Sequence, residues 1–179
     1  MSLLLSWETP PELYDALRAA SSAQLHRIPG SGLPSQLVAD GLSWGFYEDE
    51  GNNDPTASYT VTYTSSVSTL RICDVDIRRW VRPADTCRID FTFVRPDSAP
   101  WSGRRLKLRD IPGHGWVRDL WTGKHGRTAI VLTHGARIRL EIEGMMEALE
   151  FVVPHEHRVD WTVLPDFGTW VRVDARAVR

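Results

Sequence analysis

Two hydrophobic rhythms divide the chain. Before residue 40 the apolar positions Leu13, Leu17 and Ala20, with Tyr14 beside them, recur at helical spacing. Just ahead of them, Thr9-Pro10-Pro11-Glu12 sets a threonine three residues before a glutamate, the pattern of a capping box, with proline at the first helical position. This spacing predicts a helix from Thr9 to the Ser21-Ser22 pair, a Pro- and Gly-punctuated loop over 27–35, and one more helical turn over Gln36 to Ala39. Beyond Gly41 the period changes to two.

Leu42, Trp44 and Phe46 alternate with Ser43, Gly45 and Tyr47, and Tyr59, Val61 and Tyr63 alternate with hydroxyl residues, as the two arms of a hairpin would. Cys73, Val75 and Ile77 alternate with Asp74 and Asp76, and Cys87, Ile89, Phe91 and Phe93 alternate with Arg88, Asp90 and Thr92. Residues 115–121, 127–132 and 137–143 read as a three-stranded meander. The separators each hold a His-Gly pair suited to the positive φ angles of tight turns. A short helix over Gly144 to Glu150 and strands over 149–153, 159–163 and 170–173 complete the pattern. The expected fold is mainly β, α+β at the margin. It is a single domain over 1–179, with a helical segment 1–40 packed on an antiparallel sheet that curls into a barrel or folds as a sandwich.

Composition narrows the function classes. No apolar run reaches the roughly 18 residues a membrane span needs, and Leu3-Leu4-Leu5 has neither the basic flank nor the length of a signal peptide, so the expected setting is cytoplasmic. Cys73 and Cys87 lack zinc or redox spacing and read as reduced, buried thiols. The phosphate-cradling, dinucleotide-binding, zincin and nucleophile-elbow motifs are all absent from the sequence. No cofactor is predicted, and the balance leans away from an enzyme.

Four features remain as candidate chemistry. His155 and His157, one residue apart, share strand parity with Val159 and Trp161 and would face the same side, where they could hold a transition metal or a ligand with His114 as a third donor. The plain alternative is a solvated pair at a strand start. Glu48, Asp49, Glu50 and Asp54 gather oxygen donors in what reads as a surface turn, without the glycine and glutamate spacing of an EF-hand. Between 104 and 139 there are nine Lys or Arg against two Asp or Glu. Arg105, Lys107 and Arg109 there alternate with leucines, a face fit for carboxylate or phosphate recognition; the alternative is internal pairing, since Glu141 and Glu143 share parity with Arg137 and Arg139. Finally, eight tryptophans exceed what such a core requires. Trp80, set among Arg78, Arg79 and Arg82, and Trp101 could be exposed anchors or stacking partners for guanidinium groups.

These features together read as a non-catalytic binding protein of accessory, inhibitor or immunity type, which meets a protein partner through tryptophan- and arginine-rich loops and segregated charge. A second reading is a barrel or sandwich holding a small molecule, with His155 and His157 in acid–base or metal-assisted chemistry. A net charge of -2 and missing RNA-binding signatures argue against nucleic acid, and no membrane partner is expected.

Overall fold

The structure, a computed structural model, describes residues 2–7, 15, 20–40, 45–52, 54, 56–65, 69–72, 77–111, 117–123, 125–165 and 170–177. In chain order its first strands are β1 (Leu3–Trp7), β2 (Ala20–Ile28), β3 (Gln36–Asp40), β4 (Phe46–Asp49) and β5 (Ser58–Ser65). They are followed by β6 (Thr69–Ile72), β7 (Ile77–Val81), β8 (Thr86–Phe93), β9 (Arg105–Ile111) and β10 (Val117–Trp121). The last are β11 (Arg127–Thr133), β12 (Arg137–Ile142), β13 (Leu149–Val152), β14 (Arg158–Pro165) and β15 (Trp170–Ala177). They form four open sheets, in the orders β4-β1-β7, β3-β2-β5-β6, β10-β9-β12-β13 and β11-β8-β14-β15. Strand pairing is antiparallel except between β8 and β14, which run parallel. The protein is therefore mainly β, and no sheet among the described residues closes into a barrel.

Alternation along the strands builds two cores. Leu106, Leu108, Ile138 and Leu140 of the β9 sheet meet Ile89, Phe91, Phe93, Val159 and Trp161 of the β8 sheet, so these two sheets form a sandwich. Phe91 lies edge-on to Trp161, with ring centroids 5.6 Å apart. The second core joins Leu25, Tyr59, Val61 and Tyr63 of the β2 sheet to Leu5, Trp7 and Ile77 of the β1 sheet. Leu4 and Phe46 of the β1 sheet belong instead to the sandwich core. The three-stranded β1 sheet is thus shared, one face to each core. A strand buried on both faces must be apolar at consecutive positions, which is why Leu3-Leu4-Leu5 does not alternate.

Several expectations are corrected. The helix expected after Thr9 falls, apart from Asp15, on residues outside the described set up to residue 19. Where it was to end, the chain is already in β2, and Gln36–Asp40 is strand β3 rather than a helical turn. Helix-compatible alanines there yield to pairing with β5, Ser-Tyr-Thr-Val-Thr-Tyr-Thr-Ser, whose β-branched and aromatic residues suit a sheet. Within the expected helical segment 1–40, residues 3–7, 20–28 and 36–40 are strands, while the stretch from Thr9 to residue 19 lies, apart from Asp15, outside the described residues.

The expected hairpin also fails, since β4 pairs with β1 while β5 pairs with β2 and β6; residues 41–44 of its first arm lie outside the described set. Side-chain acceptors fold the link. Asn52 Oδ1 takes the Asp54 amide at 2.7 Å and Asp54 Oδ1 the Thr56 amide at 2.8 Å, directing the chain into another sheet. The expected meander has the right strands and the wrong neighbours, because β10 and β12 both flank β9 whereas β11 flanks β8. Its His-Gly turns cross between the sandwich sheets. The Phe93 amide donates to Gly126 O at 2.8 Å, and the Gly135 amide to Val153 O at 3.0 Å. Gly126, at φ 69, admits no side chain, for a Cβ would stand 2.3 Å from Phe93 O. Residues 143–148 form turns, not a helix.

Candidate functional site

The acidic run expected at the surface is half buried. Glu48 and Asp49 end β4 with 5% and 4% exposure, and as consecutive strand residues they leave on opposite faces of the β1 sheet. Glu48 accepts hydrogen bonds from Ser2 Oγ at 2.8 Å, Arg82 Nη1 at 3.0 Å and Arg88 Nη1 at 3.1 Å. Asp49 accepts from Tyr59 OH at 2.8 Å and Arg27 Nη1 at 3.1 Å. The shared sheet is thereby tied to each neighbour by one buried carboxylate. Only the rest of the run behaves as a surface turn: Glu50 is exposed, and Asp54 takes the Gly30 amide at 3.0 Å.

Burial alone would raise the Glu48 carboxyl, but the hydrogen bonds from Ser2, Arg82 and Arg88 outweigh it and hold the group below its ordinary value. Arg88 is the counterpart. Desolvation works against its charge, while Asp90 and Glu48 more than restore it. Burial and the bond to Asp49 push the Tyr59 hydroxyl well above the usual tyrosine value.

Arg88 opens onto a second pattern that sequence reading missed. β8 carries Arg88-Ile89-Asp90-Phe91-Thr92 and β14 carries Arg158-Val159-Asp160-Trp161-Thr162. The two strands lie parallel and in register, Arg88 beside Arg158, Asp90 beside Asp160, Thr92 beside Thr162. Apolar members of this echo enter the sandwich core; the polar members line the opposite face. Like charges side by side are relieved by offset pairing. Arg88 holds Asp90 with Nη2 at 2.9 Å and Nε at 3.0 Å, and Arg158 Nε reaches the same carboxylate at 2.8 Å. The repeat Arg-x-Asp-aromatic-Thr was visible in the sequence, though not the fact that its copies lie side by side.

On this face is a cleft of about 350 Å³, floored by Arg88, Asp90, Thr92, Ala129, Arg158 and Asp160 and walled by Phe46 to Glu48 of β4. Its donors are not all used. Arg127, exposed at one side, has no ion-pair partner among the described residues, and Arg158 bonds only through Nε, leaving both terminal nitrogens free. Ala129, between the two arginines on the same face, leaves room above the sheet.

The residues singled out from sequence are placed differently. Trp80 and Trp101 pack partly buried against the sandwich core, Arg118 lying 5.3 Å from the Trp80 ring centroid and Arg104 5.0 Å from that of Trp101. Arg82 is buried, donating to His157 O at 2.6 Å as well as to Glu48. Arg79 donates to Ala57 O, and Arg78 also has an interaction within the molecule. In the basic segment, Arg105 pairs with Asp119 at 2.8 Å and Arg109 with Glu141 at 3.0 Å. Arg139 bridges Glu141 and Glu150 at 3.1 and 3.3 Å. Lys107 stands between Asp119 and Glu141 in the strand register. The expected alternation holds, with Leu106 and Leu108 buried beneath these cations.

His155 and His157 are not on a strand facing the interior. Both are exposed in the loop before β14, and His114 lies outside the described residues. His155 stands against His134 instead, ring centroids 5.4 Å apart. Among the described residues no three His, Cys, Asp or Glu side chains gather at one point. Cys87 is buried and free, its thiol pushed up to about 11 by burial and then by Glu156, so it is a poor nucleophile at neutral pH; Cys73 is outside the described residues. Compared with protein families, with characterised proteins and with solved structures, the chain matches none.

Proposed function

We propose that the protein is a non-catalytic binding module, of accessory, inhibitor or immunity type and cytoplasmic, that takes up carboxylate side chains of a protein partner in the cleft on the β8 sheet. One observation carries this reading: in a cleft where every other guanidinium is engaged, Arg127 and the terminal nitrogens of Arg158 are left with unused donors. A guanidinium donates two parallel hydrogen bonds to a carboxylate, so unpaired arginines favour an acidic guest. By register the two arginines lie two strands and four residues apart, roughly 16 Å between Cα atoms, which suits an extended segment with spaced acids. Glu48 serves as a strut, held ionised by three donors, and Asp90 accepts hydrogen bonds from two arginines. No helix among the described residues is long and apolar enough to cross a membrane.

The test is copurification from the native host with Arg127→Glu, since the Arg127 side chain has no ion-pair partner among the described residues, against Arg95→Glu as an exposed control on a loop. A partner lost with the first variant and kept with the second is the expected result; equal recovery overturns the proposal. A second reading, a free anionic small molecule, is favoured by the cleft volume, which lies within the range of small-molecule pockets. Native mass spectrometry separates the two, reporting either a bound chain or a retained small ligand.

A further inference from the structure

We propose that His134 and His155 together form a two-imidazole site for a first-row divalent ion, with Zn²⁺ as its reference ligand. The two residues come from loops far apart in sequence and are fixed toward one another by backbone bonds. The His134 amide donates to Asp85 O at 2.9 Å, the Gly135 amide to Val153 O at 3.0 Å and the Val153 amide to Ala136 O at 2.8 Å. Beyond His155, His157 O accepts from the Arg88 amide at 3.0 Å and from Arg82. Gly135, at φ 72, makes the sharp turn that places His134.

Two properties of the pair point to a ligand. His134 Nε2 is shut off from solvent yet has no hydrogen-bond partner, so this nitrogen has lost its water without replacement. The separation also fits coordination. A zinc ion about 2.1 Å from a nitrogen of each ring lies about 3.2 Å from each ring centroid, and a tetrahedral angle then sets the centroids about 5.3 Å apart. The observed distance is 5.4 Å, at a tilt of 47°. No carboxylate or thiol among the described residues completes a set of three, so the remaining positions belong to water, and His155 is exposed enough to admit it. Imidazole suits zinc, copper and nickel and does not suit calcium or magnesium.

The experiment titrates Zn²⁺ into the chelator-stripped full chain near neutral pH, by calorimetry and by NMR of the imidazole nitrogens. One ion per chain is expected, with selective shifts of the His134 and His155 rings. His134→Ala and His155→Ala should each weaken binding at least about tenfold. His157→Ala and His114→Ala should leave it unchanged. Absence of binding, or shifts confined to His155 and His157 with affinity kept in His134→Ala, overturns the assignment. The NMR arm reads the wild-type protein, so it decides even if the part-buried His134 proves necessary for folding.

Discussion

Two charge networks of similar composition are built into this chain in opposite ways. On the β9 sheet, Arg109, Glu141, Arg139 and Glu150 form a ladder across three strands, every side chain between a third and a half exposed. At the end of β4, Glu48 meets Arg82 and Arg88 with 1% of its side chain exposed. The distances are alike, near 3 Å in both. What differs is water. In the ladder, solvent screens each pair and each long side chain loses freedom by holding still, so the net gain is small. At Glu48 the surroundings have removed nearly all water from the carboxylate and from Arg82, which depend on each other, while Arg88 keeps Asp90 as well. Such a cluster stabilises little relative to an apolar replacement of the whole, yet removing one member leaves uncompensated buried charge.

The largest effect follows directly. Glu48→Ala should destabilise the protein by about 3–5 kcal/mol, because it leaves the buried Arg82 without a carboxylate and takes from Arg88 one of its partners. Urea denaturation should show a lower midpoint with little change in slope. The same carboxylate predicts an acid limb. Its folded pKa lies below its unfolded value of about 4.3, so its stabilisation is fully present above that value and disappears as pH falls through the folded one. Wild-type stability should therefore fall on acidification below about pH 4, and Glu48→Gln should flatten that part of the profile. An unchanged acid limb in the variant would sever Glu48 from the pH dependence.

The partner acid on the other face should cost less to disturb. Tyr59→Phe removes one donor to Asp49 and leaves Arg27 and the Gly51 amide in place. A loss of about 1.5–3 kcal/mol is expected, the range for a hydrogen bond to a charged group. Thermal melting checks it. A loss as large as that of Glu48→Ala would mean that the two faces of the β1 sheet are equally dependent on their acids.

The contrast between the networks also explains what could be read in advance. Period-two alternation located β8, β9, β11, β12 and β14, because one face of each is apolar and the other polar, and the pairing of Arg139 with Glu141 followed from their common parity. The acids of β4 read as a turn because Glu48-Asp49-Glu50-Gly51-Asn52 has the composition of a solvated loop. Nothing local reveals that β4 lies in a sheet with a core on each side, which is a consequence of long-range pairing with β1. Neighbour choice failed for the same reason: the turn chemistry at Gly126 and Gly135 was right, but a tight turn can join strands of facing sheets as well as adjacent strands of one. The cleft arises from two like segments, Arg88 to Thr92 and Arg158 to Thr162, offset by 70 residues. Their shared order, Arg-x-Asp-aromatic-Thr, is a signal that period-two alternation does not carry.

The smallest effect is the one that most sharpens the comparison. Glu141 receives both Arg109 and Arg139, so by connectivity it is to the β9 ladder what Glu48 is to the buried cluster. If connectivity set the energy, Glu141→Ala would cost as much as Glu48→Ala. If hydration sets it, the cost should stay below about 1 kcal/mol. Salt then separates the cases further. Raising ionic strength to about 1 M shortens the screening length to about 3 Å, comparable to the pair distances, so the Glu141→Ala difference should vanish while that of Glu48→Ala persists. Paired urea titrations of both variants at low and high salt measure this. A large, salt-resistant loss at Glu141 would show that the two arginines around it are less well hydrated than their exposure implies, and the distinction between the networks would then rest on geometry rather than on water.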